Sequence, residues 1–200
     1  MPVREGERQV RIIAGEFKSR RLKSIPGLDT RPTPDRLREA LFSIIEPEID
    51  GVVFADLCAG TGAVGLEALS RGASSVIFVE KHPKALKVLR ENIASLGAET
   101  RTRLMMVSAC RAATHLEARI VFLDPPYDLA DEYELCLHAL AEGRAELVLV
   151  QHDTRRKLAG RYGALERART LKQGDNVVSF YRRSPASEDA SPVRAETVPG

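Results

Sequence analysis

A four-residue segment, Asp124-Pro125-Pro126-Tyr127, carries the most specific chemistry in this 200-residue sequence. Two successive prolines fix a rigid, extended turn that has no amide hydrogens. The Asp124 carboxylate and the Pro125 carbonyl then offer two hydrogen-bond acceptors side by side. Acceptors that hold both N–H bonds of an exocyclic base amine favour the pyramidal geometry in which its lone pair attacks a methyl group. The segment therefore predicts methylation of a nucleobase amine, with the extruded base stacked on Tyr127; a rigid turn with a capping Asp is the alternative.

A glycine-rich loop predicts the cofactor. Gly60, Gly62 and Gly65 match the G-x-G-x-x-G dinucleotide fingerprint, and Glu80 follows the next apolar run, where it can accept hydrogen bonds from ribose hydroxyls. Asp56, just before the loop, would repel the diphosphate of NAD, which prefers bare amides. S-adenosylmethionine has no phosphate and carries an ammonium and a sulfonium, so a carboxylate suits it. The alternative is that the three glycines only permit a tight turn and bind no cofactor. Further residues assigned to the cofactor are Cys58, Thr61, Lys81 and Asp124.

Alternating strand-like and helix-like segments must position these residues. Short apolar runs predict parallel strands at 52–55, 76–79, 104–107, 120–123 and 147–150. Helical spacing predicts helices at 36–45, 63–70, 83–96 and 131–141. This order indicates an α/β fold with helices on both faces of the sheet, and the glycine loop and the proline turn should line one crevice. The strands at 165–171 and 177–181 are joined by too few residues for a crossover, so the last strand should run antiparallel.

Basic residues concentrate near both ends of the chain. Residues 8–23 carry six basic side chains and one acidic side chain. Residues 155–183 carry nine basic side chains and two acidic ones. Apolar residues on both sides of Gly15 predict a small basic β-hairpin. Two basic segments on either side of a nearly neutral central region favour an anionic polymer, such as a nucleic acid, as the binding partner. The usual alternative is that such basic surfaces contact only solvent. The hairpin residues assigned to phosphate contacts are Arg11, Lys18, Arg20, Arg21 and Lys23.

The composition narrows the class of protein. A net charge of +2 and 44% hydrophobic residues are typical of one soluble domain. Three cysteines without a Cys-x-x-Cys pair and four histidines without ligand spacing argue against a disulfide framework and a metal site. No apolar run approaches the ~18 residues of a membrane span, and no signal peptide is recognisable. We expect a cytoplasmic monomer with a hairpin extension at 1–30, a domain at 31–183 and a disordered tail at 184–200.

With these residues in place, the chain resembles the class I S-adenosylmethionine-dependent methyltransferases. Among them it is most similar to the RsmD-type 16S rRNA guanine-N2 methyltransferases of bacteria. The segments that carry the resemblance are Arg11–Gly15, Arg31–Phe42, Gly65–Ala73 and Asp124–Tyr127. The resemblance covers residues from about 8 to 183, and its Arg31-Pro-Thr33 segment is absent from most amino-methyltransferases.

The resemblance implies a Rossmann-like, seven-stranded, mostly parallel sheet in the order 3-2-1-4-5-7-6. It implies S-adenosylmethionine as the cofactor and one guanine in the helix-31 loop of 16S rRNA as the target. The substrate would be the small ribosomal subunit or its assembly intermediate. Arg31 and Thr33 are expected to fold over the crevice, Arg31 toward the RNA and Thr33 toward the cofactor.

Two positions depart from the family's pattern. Cys58 stands where relatives often carry Phe, and we expect it to affect packing on the cofactor side. Ser108-Ala109-Cys110 lacks the acid or amide that often contacts the adenine amino group, so the Ser108 hydroxyl or backbone atoms are expected to replace it. Asn92 is expected to be a surface residue or a local cap.

Three other functions stay open at this point. A DNA adenine-N6 methyltransferase uses a similar turn, but roughly 40 residues before the core leave little room for a target-recognition region. A non-catalytic RNA-binding assembly factor would keep the fold without the reaction. An NAD-linked oxidoreductase would use the glycine loop alone. The intact acceptor turn and glycine loop speak against the assembly factor.

Overall fold

One mixed β-sheet forms the centre of the molecule. The structure, a computed structural model, describes residues 10–25, 33–126 and 130–185. The strands are β1 (Val53–Leu57), β2 (Ser75–Val79), β3 (Thr102–Met105), β4 (Ile120–Leu123), β5 (Leu147–Asp153), β6 (Arg161–Tyr162), β7 (Leu165–Gln173) and β8 (Asn176–Arg183). Their order is β3-β2-β1-β4-β5-β8-β7-β6. Strands β1 to β5 pair in parallel, and β8 is antiparallel to β5. The predicted order is confirmed, with the two-residue β6 as an additional strand.

Helices cover both faces of this sheet, as predicted. They are α1 (Asp35–Ile49), α2 (Ala63–Ser70), α3 (Pro83–Leu96), α4 (Ala109–Ala113) and α5 (Ala130–Glu142). On β1 and β4, Phe54 and Phe122 belong to the core under α1, α2 and α3. Ala55 and Val121, one position away, belong to the core under α4 and α5. Because both faces are buried, the central strands read as continuous apolar runs.

The N-terminal segment forms the predicted hairpin and lies against the helices. Arg11 and Arg21 form an antiparallel bridge, and Ile12 and Leu22 are buried in the core. At the turn, the position of a Gly15 Cβ would lie only 1.8 Å from the Ser70 carbonyl oxygen. A side chain at this position would therefore collide with the end of α2, so Gly15 permits the hairpin to dock there.

Two cysteines that are distant in the sequence meet between helices. The sulfur atoms of Cys110 on α4 and Cys136 on α5 lie 2.7 Å apart, and both residues are free thiols. The short helix α4 was not predicted, because five residues carry too little periodicity to be recognised.

Gly65 permits close packing between α2 and β2, and its substitution gives a first testable prediction. A Cβ at Gly65 would lie 2.3 Å from Cε1 of Phe78 and 2.9 Å from Cγ1 of Val76. Both side chains are fully buried. We expect Gly65→Ala to lower the free energy of unfolding by about 1–3 kcal/mol, because the Phe78 ring has no space to move into.

Urea unfolding measures this effect. Gly160→Ala is the matched control, since a Cβ there meets no atom within 4 Å. Equal stabilities of the two variants would contradict the close packing of α2 on β2.

Candidate active site

Three acidic residues meet at the carboxyl ends of neighbouring parallel strands. Asp56 lies near the end of β1, Glu80 follows β2, and Asp124 follows β4. Since β2 and β4 both pair with β1, the three side chains converge at one edge of the sheet. A cavity of about 620 Å³ opens there. Its size lies within the range of small-molecule sites, and its place is the one where open α/β sheets bind ligands.

The cavity wall combines acidic side chains with apolar ones. The acids are Asp56, Glu80, Asp124 and Glu132. The apolar residues include Ile25, Val64, Val79, Pro83, Ala85, Val107 and Phe122. Lys81 and His82 also lie on the wall, and the Lys81 ammonium lies 3.9 Å from Glu132 Oε1. Acids outnumber bases, so the cavity favours a ligand that carries positive charge together with a flat apolar group.

The glycine loop is held by carboxylates. Asp56 Oδ2 accepts a hydrogen bond from the Gly65 amide at 2.8 Å, near the start of α2. Glu80 Oε2 accepts from the Gly60 amide at 2.8 Å, and Glu80 Oε1 accepts from the amides of Lys81 and His82, each at 2.8 Å. The amides that a diphosphate would need are therefore already bonded to acids, which disfavours a dinucleotide.

Left-handed backbone shapes the loop between these acids. Cys58 has a φ of +66° and Gly62 a φ of +82°. A Cβ at Gly62 would lie 2.4 Å from Cδ1 of Leu89, so Gly62 shapes the loop, whereas Gly60 and Thr61 line the cavity. Cys58 also lines it, and burial with several nearby acids raises the pKa of its thiol. A thiol that resists ionisation is a poor nucleophile, which agrees with the packing role predicted for it.

Two of the cavity acids hold their protons unusually tightly. Burial raises the pKa of Asp124 to about 8, and the nearby charge of Asp56 contributes to the shift. Burial also raises the pKa of Asp56 to about 7, against the opposing effect of the Gly65 amide. Strongly shifted acids in a cavity are typical of functional sites. A cation in the cavity would favour their ionised forms.

The proline turn forms the wall beside Asp124. Pro125 and Pro126 both line the cavity, and the Asp124 amide donates to the Leu57 carbonyl at 3.3 Å. The Pro125 carbonyl accepts from the Tyr133 hydroxyl at 3.1 Å. Tyr127 lies outside the described residues, so its predicted stacking role stays a prediction.

Thr33 also lies at the cavity, as expected from the resemblance. Its hydroxyl donates to Gln151 Oε1 at 3.0 Å, and both side chains are buried. This bond joins the segment before α1 to the end of β5. Arg31 lies outside the described residues.

Ser108 caps the short helix α4. Its hydroxyl caps α4 by accepting from the Arg111 amide at 3.4 Å. Among the residues that the structure describes, its neighbours Val107 and Ala109 line the cavity and Ser108 does not. The cap uses the hydroxyl as an acceptor and leaves its proton available, so the predicted adenine contact stays a prediction.

A family model supplies the decisive comparison. The model of the family described as conserved hypothetical protein 95 matches residues 10–182, which include both the glycine loop and the proline turn. The chain belongs to this family. The resemblance to RsmD-type methyltransferases is confirmed by this family and by a relative named ribosomal RNA small subunit methyltransferase D.

Two named relatives and one solved structure align with much of the chain. This chain is 34% identical over 189 residues to the Bacillus subtilis protein named "Putative rRNA methyltransferase YlbH". The alignment covers 87% of this chain and 99% of that one. The chain is 39% identical over 132 residues to the Escherichia coli ribosomal RNA small subunit methyltransferase D, covering 63% of this chain and 64% of that one. The solved structure described as "Putative methyltransferase yhhF from Escherichia coli" superposes with a TM-score of 0.77 at 30% identity, covering 88% of this chain and 98% of that one.

The structural role of Asn92 was not predicted from the sequence. Its side chain is 1% exposed, which corrects the expected surface position. Asn92 Oδ1 accepts from the Lys23 amide at 2.8 Å, and Nδ2 donates to the Thr61 carbonyl at 2.9 Å. Asn92 therefore joins the end of the hairpin to the glycine loop. Its partners are so remote in the chain that no local pattern could have indicated this role.

The basic hairpin residues follow the outer side of α3. Lys23 pairs with Glu91 at 2.7 Å, and Arg20 bonds the Ser95 carbonyl near the end of that helix. At ~1.5 Å per residue, Ser95 lies about 18 Å from Pro83 beside the cavity. Lys18 and Arg21 are exposed, and Arg11 lies 3.5 Å from Asp35. Lys23 and Arg20 thus lie along α3, whereas Arg11 lies at the start of α1.

The described residues form neither a metal-ligand cluster nor a membrane-spanning helix. Within 10–25, 33–126 and 130–185, no three potential ligand side chains cluster to hold a metal ion. The helices of those ranges are also too short or too polar to cross a bilayer.

Proposed function

We propose that the chain transfers a methyl group from S-adenosylmethionine to the exocyclic N2 amine of a guanine in 16S rRNA. The substrate is the small ribosomal subunit or its assembly intermediate, and the protein acts as a monomer. One observation carries the proposal: Asp124 and Pro125 stand together on the wall of a cavity whose glycine loop is bonded to carboxylates. The names of the relatives from Bacillus subtilis and Escherichia coli support RNA as the substrate.

The cavity fits S-adenosylmethionine better than a dinucleotide. Asp56 and Asp124 are acids whose pKa values are raised to about 7 and about 8, so a cationic ligand relieves an unfavourable arrangement. Glu80 is oriented by three backbone amides and keeps acceptor capacity for ribose hydroxyls. Asp56 would hold the ammonium, and Val107 and Pro83 would cover the adenine. When bound, the cofactor supplies an electrophilic methyl group.

Asp124 and Pro125 act on the amine. The Asp124 carboxylate and the Pro125 carbonyl accept its two N–H bonds, which draws the nitrogen lone pair out of conjugation with the ring. Acceptors that are already in place stabilise the positive charge that develops on the nitrogen, as donors do for an oxyanion. The Asp124 carboxylate then takes the proton that the methylated amine releases.

The basic surface binds the RNA through phosphates. Lys18, Arg21 and Lys23 are exposed on the hairpin, whose end at Lys23 is joined through Asn92 to the glycine loop. Such a surface positions the RNA without reading its bases. Binding should therefore weaken steeply as salt increases, because each phosphate contact releases counterions. Arg11, Arg20 and Arg31 are assigned to the same surface.

Labelled S-adenosylmethionine tests the proposed function. Small subunits from a strain that lacks the endogenous methyltransferase should accept label, and mass spectrometry of the digested 16S rRNA should locate one N2-methylguanine. Duplex DNA and naked rRNA serve as competing substrates. Preferential labelling of DNA, or no labelling of any RNA, would contradict the proposal.

Glu80→Gln gives a second prediction. The amide NH2 would face backbone N–H groups that now donate to the carboxylate, and the negative charge would be lost. We expect the affinity for S-adenosylmethionine to fall roughly 10- to 100-fold, the value of one or two charge-assisted hydrogen bonds. Isothermal titration calorimetry measures the change.

Glu91→Gln is the matched control, because Glu91 is a partly exposed carboxylate on α3 that pairs with Lys23. Its affinity for the cofactor should equal that of the wild type. Unchanged affinity of Glu80→Gln would remove Glu80 from the cofactor site.

A further inference from the structure

The Tyr133 hydroxyl lies between two backbone carbonyls beside the proposed site. Its oxygen is 3.1 Å from the Pro125 carbonyl oxygen and 3.2 Å from the Gln151 carbonyl oxygen. The side chain is 0% exposed, and the Arg156 guanidinium lies over the ring, 4.3 Å from its centroid. A phenol has one proton, so the hydroxyl bridges or alternates between the ends of β4 and β5.

The proline turn depends on such an anchor. Pro125 and Pro126 have no amide hydrogens, so neither can tie the turn to its neighbours by donating a bond. The Asp124 amide supplies one contact, to the Leu57 carbonyl at 3.3 Å, which is longer than a typical N–H···O bond. The backbone of the proline turn donates few hydrogen bonds to its neighbours. The Tyr133 hydroxyl therefore supplies an additional hydrogen bond, from a side chain, to the Pro125 carbonyl.

The same hydroxyl reaches the segment before α1 through Gln151. The Gln151 backbone carbonyl faces Tyr133, and its side chain accepts from the Thr33 hydroxyl at 3.0 Å. Thr33 and Pro125 both line the cavity. Two walls of the cavity are thus linked through Gln151 and one buried hydroxyl.

We infer that Tyr133 is a positioning residue that fixes the Pro125 carbonyl as an acceptor for the target amine. The inference rests on the proposed function, because it refines the role given there to Pro125. A carbonyl oxygen has two lone pairs, so one can take the Tyr133 proton while the other takes an N–H of the amine. Without the hydroxyl the carbonyl keeps its chemistry but loses its fixed direction, and an acceptor is effective only when it is already in place.

Steady-state kinetics of Tyr133→Phe test the effect on catalysis. We expect kcat to fall roughly 3- to 10-fold, the size of one net hydrogen bond, with unchanged KM values for S-adenosylmethionine and for the subunit. Tyr181→Phe is the matched control, because its hydroxyl also donates to a backbone carbonyl, that of Ala159 at 2.7 Å, from a buried ring outside the cavity wall. Its kcat should equal that of the wild type.

A spectroscopic measurement reads the hydrogen bond independently of activity. The sequence contains one Pro-Pro pair, Pro125-Pro126, among its 11 prolines. In protein labelled with 13C-carbonyl, 15N-proline, a carbon–nitrogen correlation spectrum therefore shows a single peak, from the Pro125 carbonyl. We expect Tyr133→Phe to shift this resonance and Tyr181→Phe to leave it in place.

The wild-type protein provides a second reading if Tyr133→Phe does not fold. No amide hydrogen adjoins the Pro125 carbonyl, because both flanking residues of that peptide bond are prolines. A change of its resonance between water and deuterium oxide must therefore come from a hydrogen bond to another group, and we expect one.

The outcomes separate this inference from the proposed function. A lower kcat with unchanged KM values and a shifted carbonyl resonance support the positioning role. A resonance shift without a change in kcat, no resonance change in either test, or equal losses in both phenylalanine variants would overturn it. Failure of the wild type to methylate any subunit would instead contradict the proposed function.

Discussion

Asp124→Asn is expected to lower the rate of methyl transfer roughly 100- to 1,000-fold, the loss typical of one preorganised group that stabilises transition-state charge. The amide keeps one carbonyl oxygen, but it lacks the negative charge that stabilises the developing cation and cannot take the proton that the amine releases. Single-turnover transfer to subunits, with enzyme in excess, measures the chemical step without product release.

Binding must be measured alongside the rate. Asp124 lines the cavity and does not belong to the basic hairpin surface, so its replacement by a neutral amide should leave the phosphate contacts of the RNA in place. Asp175→Asn, at an exposed turn between β7 and β8, is the control and should transfer at the wild-type rate. A rate for Asp124→Asn within about fivefold of the wild type would exclude Asp124 from the chemistry.

Much of the fold could be predicted because the central strands are buried on both faces. The runs at 76–79 and 120–123 are apolar throughout, which is typical of parallel strands between helix layers. The parallel order then brings the strand ends together, so Asp56, Glu80 and Asp124 could be expected in one crevice. Their convergence on the cavity follows from topology and needs no knowledge of side-chain contacts.

The buried polar connections could not be predicted in the same way. Asn92 bonds Lys23, 69 positions away, and Thr33 bonds Gln151, 118 positions away. Tyr133 lies on the buried side of α5, where periodicity indicates only a core aromatic. Such bonds depend on how helices and strands pack, and sequence spacing reports only the face on which a residue lies.

Ser108 has a local role that was not predicted. A serine before a short helix is a favoured N-cap, and capping satisfies an amide that the helix leaves without a partner. In this chain the cap forms with Arg111. The cap could not be predicted because helix α4 itself was not, whereas the contact of Ser108 with adenine stays a prediction.

The stability of the ligand-free protein should depend on pH through the cavity acids, and Asp124→Asn should reveal it. Asp124 has a model-peptide pKa of 3.8 that folding raises to about 8, chiefly by burial. Between those values the folded state holds a proton that the unfolded state has lost, so the folded state is destabilised progressively as the pH rises through this window. Well below pH 3.8 both states are protonated and the effect vanishes. Asparagine has no proton to lose, so the stability of the variant relative to the wild type should rise by ~4–5 kcal/mol between pH 4 and pH 8.

Urea unfolding at a series of pH values between 4 and 9 measures this difference, with Asp175→Asn as a control that should show no such trend. Taking the difference between variant and wild type cancels the titration of the many groups that they share. Burial also raises the pKa of Asp56 to about 7, so removal of the Asp124 charge should additionally ease ionisation of its neighbour. A stability difference that stays constant with pH would mean that the Asp124 carboxyl titrates near its ordinary value. A rising difference would show that this acid costs the empty protein stability, and a cationic ligand in the cavity would offset that cost when it binds.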